Sequence, residues 1–316
     1  MTRLAAAALL TFAFTPACAH YPVKPIRVVL TVSAAGDLTV RTLGERMAPT
    51  LGVPLVVEIQ SAAGGAQGAT TVARAAPDGY TLLYGTNCAM VLRQFLVKNM
   101  PYDTLRDFTP IAKVGEAVAA VVVSTALPAT NFAELIEYAK RNPGKVSYAT
   151  TGIGSTHHLT GILFEQMTGI SWVHVPYKTG PQSAQDLAGG RVPVAIGTLT
   201  TYKSMVDAGK ATVVAINGGA RHTELPNVPT VSEVLPGYQR PPGWMAFFGP
   251  AGLPAPMVRR LEGELIKAAS DPGVKAKLLV AGVVIDTLPA DKFAAAMRQD
   301  IELVGKLVRA AGIQPE

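Results

Sequence analysis

Residues 26–59 read IRVVLTVSAAGDLTVRTLGERMAPTLGVPLVVEI, and this stretch decides the fold class. Ile26 to Val32 is a short apolar run rich in β-branched residues, too brief for a helix and suited to a buried strand. Leu38 to Leu51 then spaces its apolar residues at helical intervals, and Leu55 to Ile59 is a second β-rich run. Strand, helix and strand in that order form a βαβ unit, which predicts a parallel sheet. Working outward, Thr70 to Ala76 reads as the next helix and Tyr80 to Tyr84 as a third strand.

A second series begins at the very β-rich Val118 to Ser124. Asn131 to Asn142 reads as a helix closed by Pro143-Gly144; a strand over Lys145 to Thr150, a helix over His158 to Thr168 and a strand over Trp172 to Val175 follow. Val192 to Ile196 and Thr212 to Ile216 continue the strands of what reads as a second sheet. After a Pro/Gly-rich stretch from Pro226 to Gly243, Met245 to Phe248 reads as a strand and Ala255 to Ser270 and Pro289 to Ala311 as amphipathic helices. That tail has no third domain to join, so it is expected to return to the first sheet. Two crossovers, near 118–124 and 244–249, would then make a hinge.

The first nineteen residues carry Arg3, a short apolar run from Leu4 to Phe14 and the small residues Ala17-Cys18-Ala19 before His20, the pattern of a secretory leader cleaved after Ala19. Lipid attachment at Cys18 is the alternative. The run is too short for a span, which needs roughly 20 apolar residues. Taking Arg3 from the 28 Lys and Arg leaves 27 basic against 22 acidic residues, and of the two cysteines only Cys88 remains, so no internal disulfide is expected. With 16% charged residues and no run of like charge, the chain carries a mild attraction for anions and no nucleic-acid footprint.

In open α/β sheets ligands lie beyond the carboxyl ends of the strands, where loops lead into helix N-termini. Four such loops are small, hydroxylated or Gly-rich: Ser33-Ala34-Ala35-Gly36-Asp37, the run Ser61 to Gly68 with Gly65 and Ala66 at its centre, Gly85-Thr86-Asn87-Cys88, and Thr151 to His158 with Gly154, Ser155, Thr156 and His158. Tyr177 and Thr198, near the ends of further strands, complete the candidate contacts. None of the four loops contains Lys or Arg, so an anion there would be held by backbone N–H groups, hydroxyls and helix dipoles, and its affinity would respond modestly to salt. Enzyme chemistry finds no footing. His157 and His158 are adjacent with no third ligand at metal spacing, Ser155 is not in a Gly-x-Ser-x-Gly elbow, and Cys88 has no His nearby in sequence. No metal and no cofactor is expected.

From His20 onward the chain resembles the Bug (TctC-like) receptors of tripartite tricarboxylate transporters. The resemblance is carried by Tyr21-Pro22-Val23-Lys24-Pro25-Ile26-Arg27, Ala76-Pro77-Asp78-Gly79-Tyr80, Asn142-Pro143-Gly144-Lys145, Thr151 to Leu159, Val173-His174-Val175-Pro176-Tyr177-Lys178 and Leu225 to Glu233. It implies an α/β, type II periplasmic-binding-protein fold, with two α/β lobes joined by a two-crossover hinge and the ligand cleft between them. Residues 20–121 and 246–316 are expected to form lobe 1, and 122–245 lobe 2. The resemblance also implies contacts from the first-strand loop and the Gly-x-Gly-Ser/Thr loop. Two departures stand out: the family's Pro-Gly-Gly-x-x-Asp reads Val32-Ser33-Ala34-Ala35-Gly36-Asp37, and its Gly-Gly-x-Val-Asp reads Gly189-Gly190-Arg191-Val192-Pro193, which removes a carboxylate suited to a cationic ligand.

The expected function is that of a periplasmic receptor, not an enzyme, that binds a small aliphatic or aromatic carboxylate for the separate membrane subunits of a tripartite tricarboxylate-type transporter. A monomer is expected. The alternatives are a ligand-dependent co-sensor for a membrane signalling protein and a receptor for a neutral aromatic carboxamide.

Overall fold

The computed structural model describes residues 21–32 and 34–315; the expected leader, Ser33 and Glu316 lie outside the described residues. The chain opens with β1 (Ile26–Leu30), α1 (Ala34–Leu51), β2 (Leu55–Ile59), α2 (Ala66–Ala73), β3 (Thr81–Thr86) and β4 (Phe108–Ala117). Next come β5 (Ala119–Ser124), α3 (Phe132–Arg141), β6 (Ser147–Thr150), α4 (Thr156–Thr168), β7 (Val173–Pro176), α5 (Gly180–Ala188), β8 (Val194–Thr198), α6 (Leu199–Asp207), β9 (Ala211–Asn217) and α7 (Val231–Val234). It closes with β10 (Trp244–Pro250), α8 (Ala255–Ser270), α9 (Pro272–Val280), β11 (Val283–Pro289) and α10 (Ala290–Ala310).

These strands form two sheets. The first runs β11-β4-β10-β3-β1-β2 and the second β7-β6-β8-β5-β9. β1 lies parallel to β2 and β3, and β6 parallel to β7 and β8, as expected for strands fed through helices. β10 enters the first sheet antiparallel between β3 and β4, and β5 sits antiparallel between β8 and β9. The chain therefore leaves the first sheet at Val118 and returns between Asn217 and Trp244. The boundaries read from sequence, after 121 and after 245, fall inside β5 and β10.

Both sheets are covered on both faces, which explains why their strands are nearly unbroken apolar runs. Ile26, Val28 and Leu30 face α1 and α8 through Leu43, Met47, Leu261 and Leu265, while Val29 turns to the opposite face with Leu83, Phe248 and Phe293. In the second sheet Val121 and Val123 pack with Phe132 and Phe164, and Ala120 and Val122 with Leu187 and Tyr202. The core containing Phe248 and Phe293 is continuous with that of Phe132 and Phe164, so one apolar cluster runs across both sheets.

Several elements differ from the sequence reading: α5, α6, α7 and α9 have no counterpart in it, α1 begins at Ala34 instead of Leu38, and α2, β4 and β11 also depart from it. α2 starts at Ala66 instead of Thr70, because Gly65, at φ 89°, turns the chain and the Ala-Gln-Gly segment becomes the helix's first turn. β4 escaped detection because Pro110, Lys113 and Glu116 interrupt its apolar pattern; a bulge in β10 beside Pro110 and ion pairs among the charged side chains accommodate them. β11 is a half-exposed edge strand with Asp286 and Thr287 in its middle.

Gly161 of α4 lies against Tyr148 of β6, and a Cβ there would overlap the tyrosine ring. That ring cannot retreat, since it is fully buried and stacks on Trp172 at 4.3 Å. Gly161→Ala should therefore lower stability by about 1–3 kcal/mol in urea unfolding, despite alanine's better helix propensity. An unchanged midpoint would contradict this packing.

Candidate functional site

Tight packing at the strand ends forces small residues. Gly36, in the first turn of α1, is buried where a Cβ would overlap Val32, and a Cβ on Gly65 would sit 2.6 Å from the Thr31 Cβ and 3.1 Å from Ala89. Gly36, Gly65 and Ala66 thus pack the α1 and α2 starts against the β1 and β3 ends. Ala34 and Ala35 are the first residues of α1, and Asp37 pairs with Arg41 at 2.7 Å, one turn along the same helix. At the end of β3, Thr86, Asn87 and Cys88 face the second sheet.

The loop after β6 is held from below by an imidazole stack. Ser155 caps α4, its Oγ accepting the His158 N–H at 3.1 Å. His158 Nδ1 accepts the Gly154 N–H at 3.0 Å, and its ring stacks on His174 at 3.9 Å. His174 Nε2 bonds the Thr150 hydroxyl at 2.7 Å, and Thr150 Oγ1 accepts the Gly152 N–H at 3.2 Å. Gly152 (φ 120°) and Gly154 (φ 70°) give the loop its shape, and a Cβ on Gly154 would meet Leu96 at 2.6 Å. This desolvated stack favours neutral rings. Burial, with neighbouring His158 adding to it, pushes His174 down to about 4, and burial alone lowers His158.

The two loop sets meet. Asn87 Nδ2 donates to Thr156 Oγ1 at 3.1 Å and Cys88 Sγ lies 3.6 Å from the same oxygen, so the sheets touch across the cleft. Beside this contact is a cavity of about 320 Å³ lined by Thr86, Asn87, Thr151, Ser155, Thr156 and Thr198 among the residues expected from sequence. Gly154 and His158 support the lining from behind, and Tyr177 turns away to donate its hydroxyl to Asp186 at 2.9 Å.

The cavity also contains His157, which lies within the Thr151 to His158 loop, and Asn217, Thr200, Trp244 and Arg240, which the sequence does not mark as contacts. Of the two adjacent histidines, His157 faces the cleft, its Nδ1 3.3 Å from the Thr151 hydroxyl, and desolvation pushes it down to about 4, so a neutral imidazole lines the site at neutral pH. Cys88 is open to the cleft yet ringed by protein, which pushes its thiol up. Trp244 is fixed by an Nε1–H bond to Asp300 at 2.7 Å and by Phe293, edge-on at 4.9 Å. Arg240 brings a cation where the four loops supplied none; it sits in the Pro/Gly-rich return segment, where no periodicity marks a side chain's direction. A larger cavity, of about 600 Å³, lies against the crossovers and shares Ala117, Arg240 and Val283 with the cleft. It contains none of the four loops expected from sequence, so the smaller cleft is the candidate site.

The family model described as tripartite tricarboxylate transporter family receptor matches residues 39–313. A UPF0065 protein of Bordetella pertussis is 31% identical over 320 residues, which cover 100% of this chain and 98% of the relative. Among solved structures, R. palustris Rpa4515 with adipate superposes with a TM-score of 0.80 at 29% identity, covering 94% of this chain and 100% of that one. MatC from Rhodopseudomonas palustris with bound malate gives 0.73 at 27% identity, covering 91% and 100%. The periplasmic-binding-protein fold and the family resemblance read from the sequence are both confirmed.

The histidines set a pH response. His157 and His174 titrate near 4 in the folded chain and at their ordinary 6.5 when unfolded, so the unfolded state binds more protons between these values. Their contribution to stability is complete above 6.5 and is lost as pH falls toward 4. Asp300 and Glu165, pushed up by burial, act in the opposite direction over part of this range, which makes a difference measurement the appropriate one. His174→Phe keeps a ring in the stack and removes one titrating group. Its urea midpoint should fall less between pH 7 and pH 4.5 than that of the wild type; equal falls would refute the assignment.

Proposed function

Because the chain belongs to the tripartite tricarboxylate transporter receptor family, a family of solute receptors and not of enzymes, we propose that it captures a small carboxylate in the cleft between its two sheets. It does so in the periplasm, as a monomer, and presents the ligand to the membrane subunits of a tripartite tricarboxylate-type transporter. The observation that carries this reading is the convergence of Thr86, Asn87, Thr151, Ser155, Thr156 and Thr198 on one cavity, at the N-terminus of the thirteen-residue helix α4. Hydroxyls, an amide and the positive end of a helix dipole suit a carboxylate that must later be released. Adipate and malate in the two structural relatives support the same ligand class.

Ser155 has a double role in this scheme. Its oxygen already accepts a helix N–H, which leaves its O–H free to donate to the ligand. Thr156 likewise accepts from Asn87, and its own proton can turn to the ligand or to the Cys88 sulfur, 3.6 Å away. Aliphatic and aromatic mono- and dicarboxylates, with nicotinamide as a neutral control, can be screened by thermal shift, since a ligand of the native state raises the melting temperature. Carboxylates should shift it and the amide should not. Against the best carboxylate, replacing Ser155 and Thr156 together by Ala should lower affinity by at least about tenfold, since a hydrogen bond to a charged group contributes roughly 1.5–3 kcal/mol. The lost cap should cost about 1 kcal/mol of stability. A destabilised variant that binds normally would leave these hydroxyls with a capping role alone.

Capture further requires the sheets to part and close, with Val118 and the 218–243 return segment as the hinge. Small-angle scattering should give a smaller radius of gyration at saturating ligand. An identical profile with and without ligand would count against lobe closure.

A further inference from the structure

Among the described residues that line the cleft, Arg240 alone is charged at pH 7. A guanidinium stays charged at any accessible pH, and a cation withdrawn from water requires an anionic partner. The Arg240 side chain is only 21% exposed, and its single hydrogen-bond partner among the described residues is Glu116, whose Oε2 accepts from Nη2 at 2.6 Å. Glu116 is itself shared. Its Oε1 accepts from Lys113, an ammonium that is 9% exposed and whose other partner, Asp286, is 53% exposed. One part-buried carboxylate thus serves two cations, and among the described residues the Arg240 fork has no second acceptor.

The backbone holds this fork at the crossovers. Arg240 precedes Pro241 and Pro242, which fix the chain, and Gly243, whose carbonyl accepts the Ala117 N–H. Because Gly243 has no side chain, the space beside Arg240 Nη1 is left open; a Cβ there would lie 3.5 Å from that nitrogen. Arg240 and Gly243 both line the cleft. The cleft therefore has two unlike ends: a neutral one, where Ser155 and Thr156 stand at the α4 N-terminus, and a cationic one at the crossovers.

We propose that Arg240 determines which carboxylates the cleft accepts, by receiving a second acidic group of the ligand, so that a dicarboxylate is preferred to the monocarboxylate of equal chain length. The inference rests on the carboxylate reading above. A monocarboxylate satisfies one end and sets apolar atoms against the donors of the other, whereas a dicarboxylate satisfies both. The planar fork also suits bidentate pairing, which a lysine at this position would not reproduce.

The test is calorimetry on the purified receptor with matched pairs: succinate and butyrate, glutarate and pentanoate, adipate and hexanoate. The best dicarboxylate should bind at least about tenfold more tightly than its partner, a charge-assisted contact being of that size. Arg240→Gln should weaken the dicarboxylate by at least about tenfold and the monocarboxylate by less than about twofold, and Arg240→Lys should fall between. Equal binding of both members of every pair by the wild type would overturn the proposal, as would Arg240→Gln weakening both by one factor, the mark of a purely structural role. Should Arg240→Gln melt too low to assay, the wild-type ratio and Arg240→Lys decide. Binding of nicotinamide with no carboxylate bound at all would overturn the carboxylate reading itself, a result distinct from loss of the dicarboxylate preference alone.

Discussion

A single residue joins the two sheets on the outward passage, and its backbone is committed to both. Val118 separates β4 from β5; its N–H donates to the Gly282 carbonyl beside the first sheet, at 3.0 Å, and its C=O accepts from Leu199 N at the start of α6, at 2.8 Å. Strands running directly into one another leave no slack, so the sheets must face each other end to end, with their strand-end loops on either side of one gap. The return segment is longer but is held at the same point, through Gly243 to Ala117 and Arg240 to Glu116. The cleft follows from this arrangement.

That geometry explains the chemistry of the lining. Where two sets of loops approach until Asn87 touches Thr156 and Gly154 meets Leu96, long charged side chains have no room, and recognition passes to backbone groups, hydroxyls and amides. The charge that does enter comes from the return crossover and not from a strand-end loop. It carries an ion network with it: burial pushes Glu116 up, and Arg240 and Lys113 together outweigh that and hold the carboxyl below its ordinary range. Ionised Glu116 keeps Arg240 in place without saturating it.

The fold class was legible because the strands are buried on both faces, which makes runs such as Val118 to Ser124 conspicuous. The loops were legible too, since tight strand-to-helix turns demand small residues whatever they bind. For the same reason composition could not separate Gly65 and Ala66, which pack, from Thr86 and Ser155, which line the cavity. His157 and His158 differ only in the direction that the start of α4 gives them. Arg240, Asn217 and Trp244 were invisible as site residues because tertiary crossing, and no local pattern, brings them to the cleft. β4 was missed where its charges look like a loop but neutralise one another.

The strand order has a consequence for biogenesis. β10 lies between β3 and β4, yet it is made only after the whole second sheet. As the chain emerges, β5 to β9 can pair among themselves at once, whereas β3 and β4 face an unfilled slot until Trp244–Pro250 arrives. The first-made half of the molecule is thus the last to close. Its open strand edges must be shielded from other chains in the interval, which makes early folding of the first sheet a hazard and its delay an advantage.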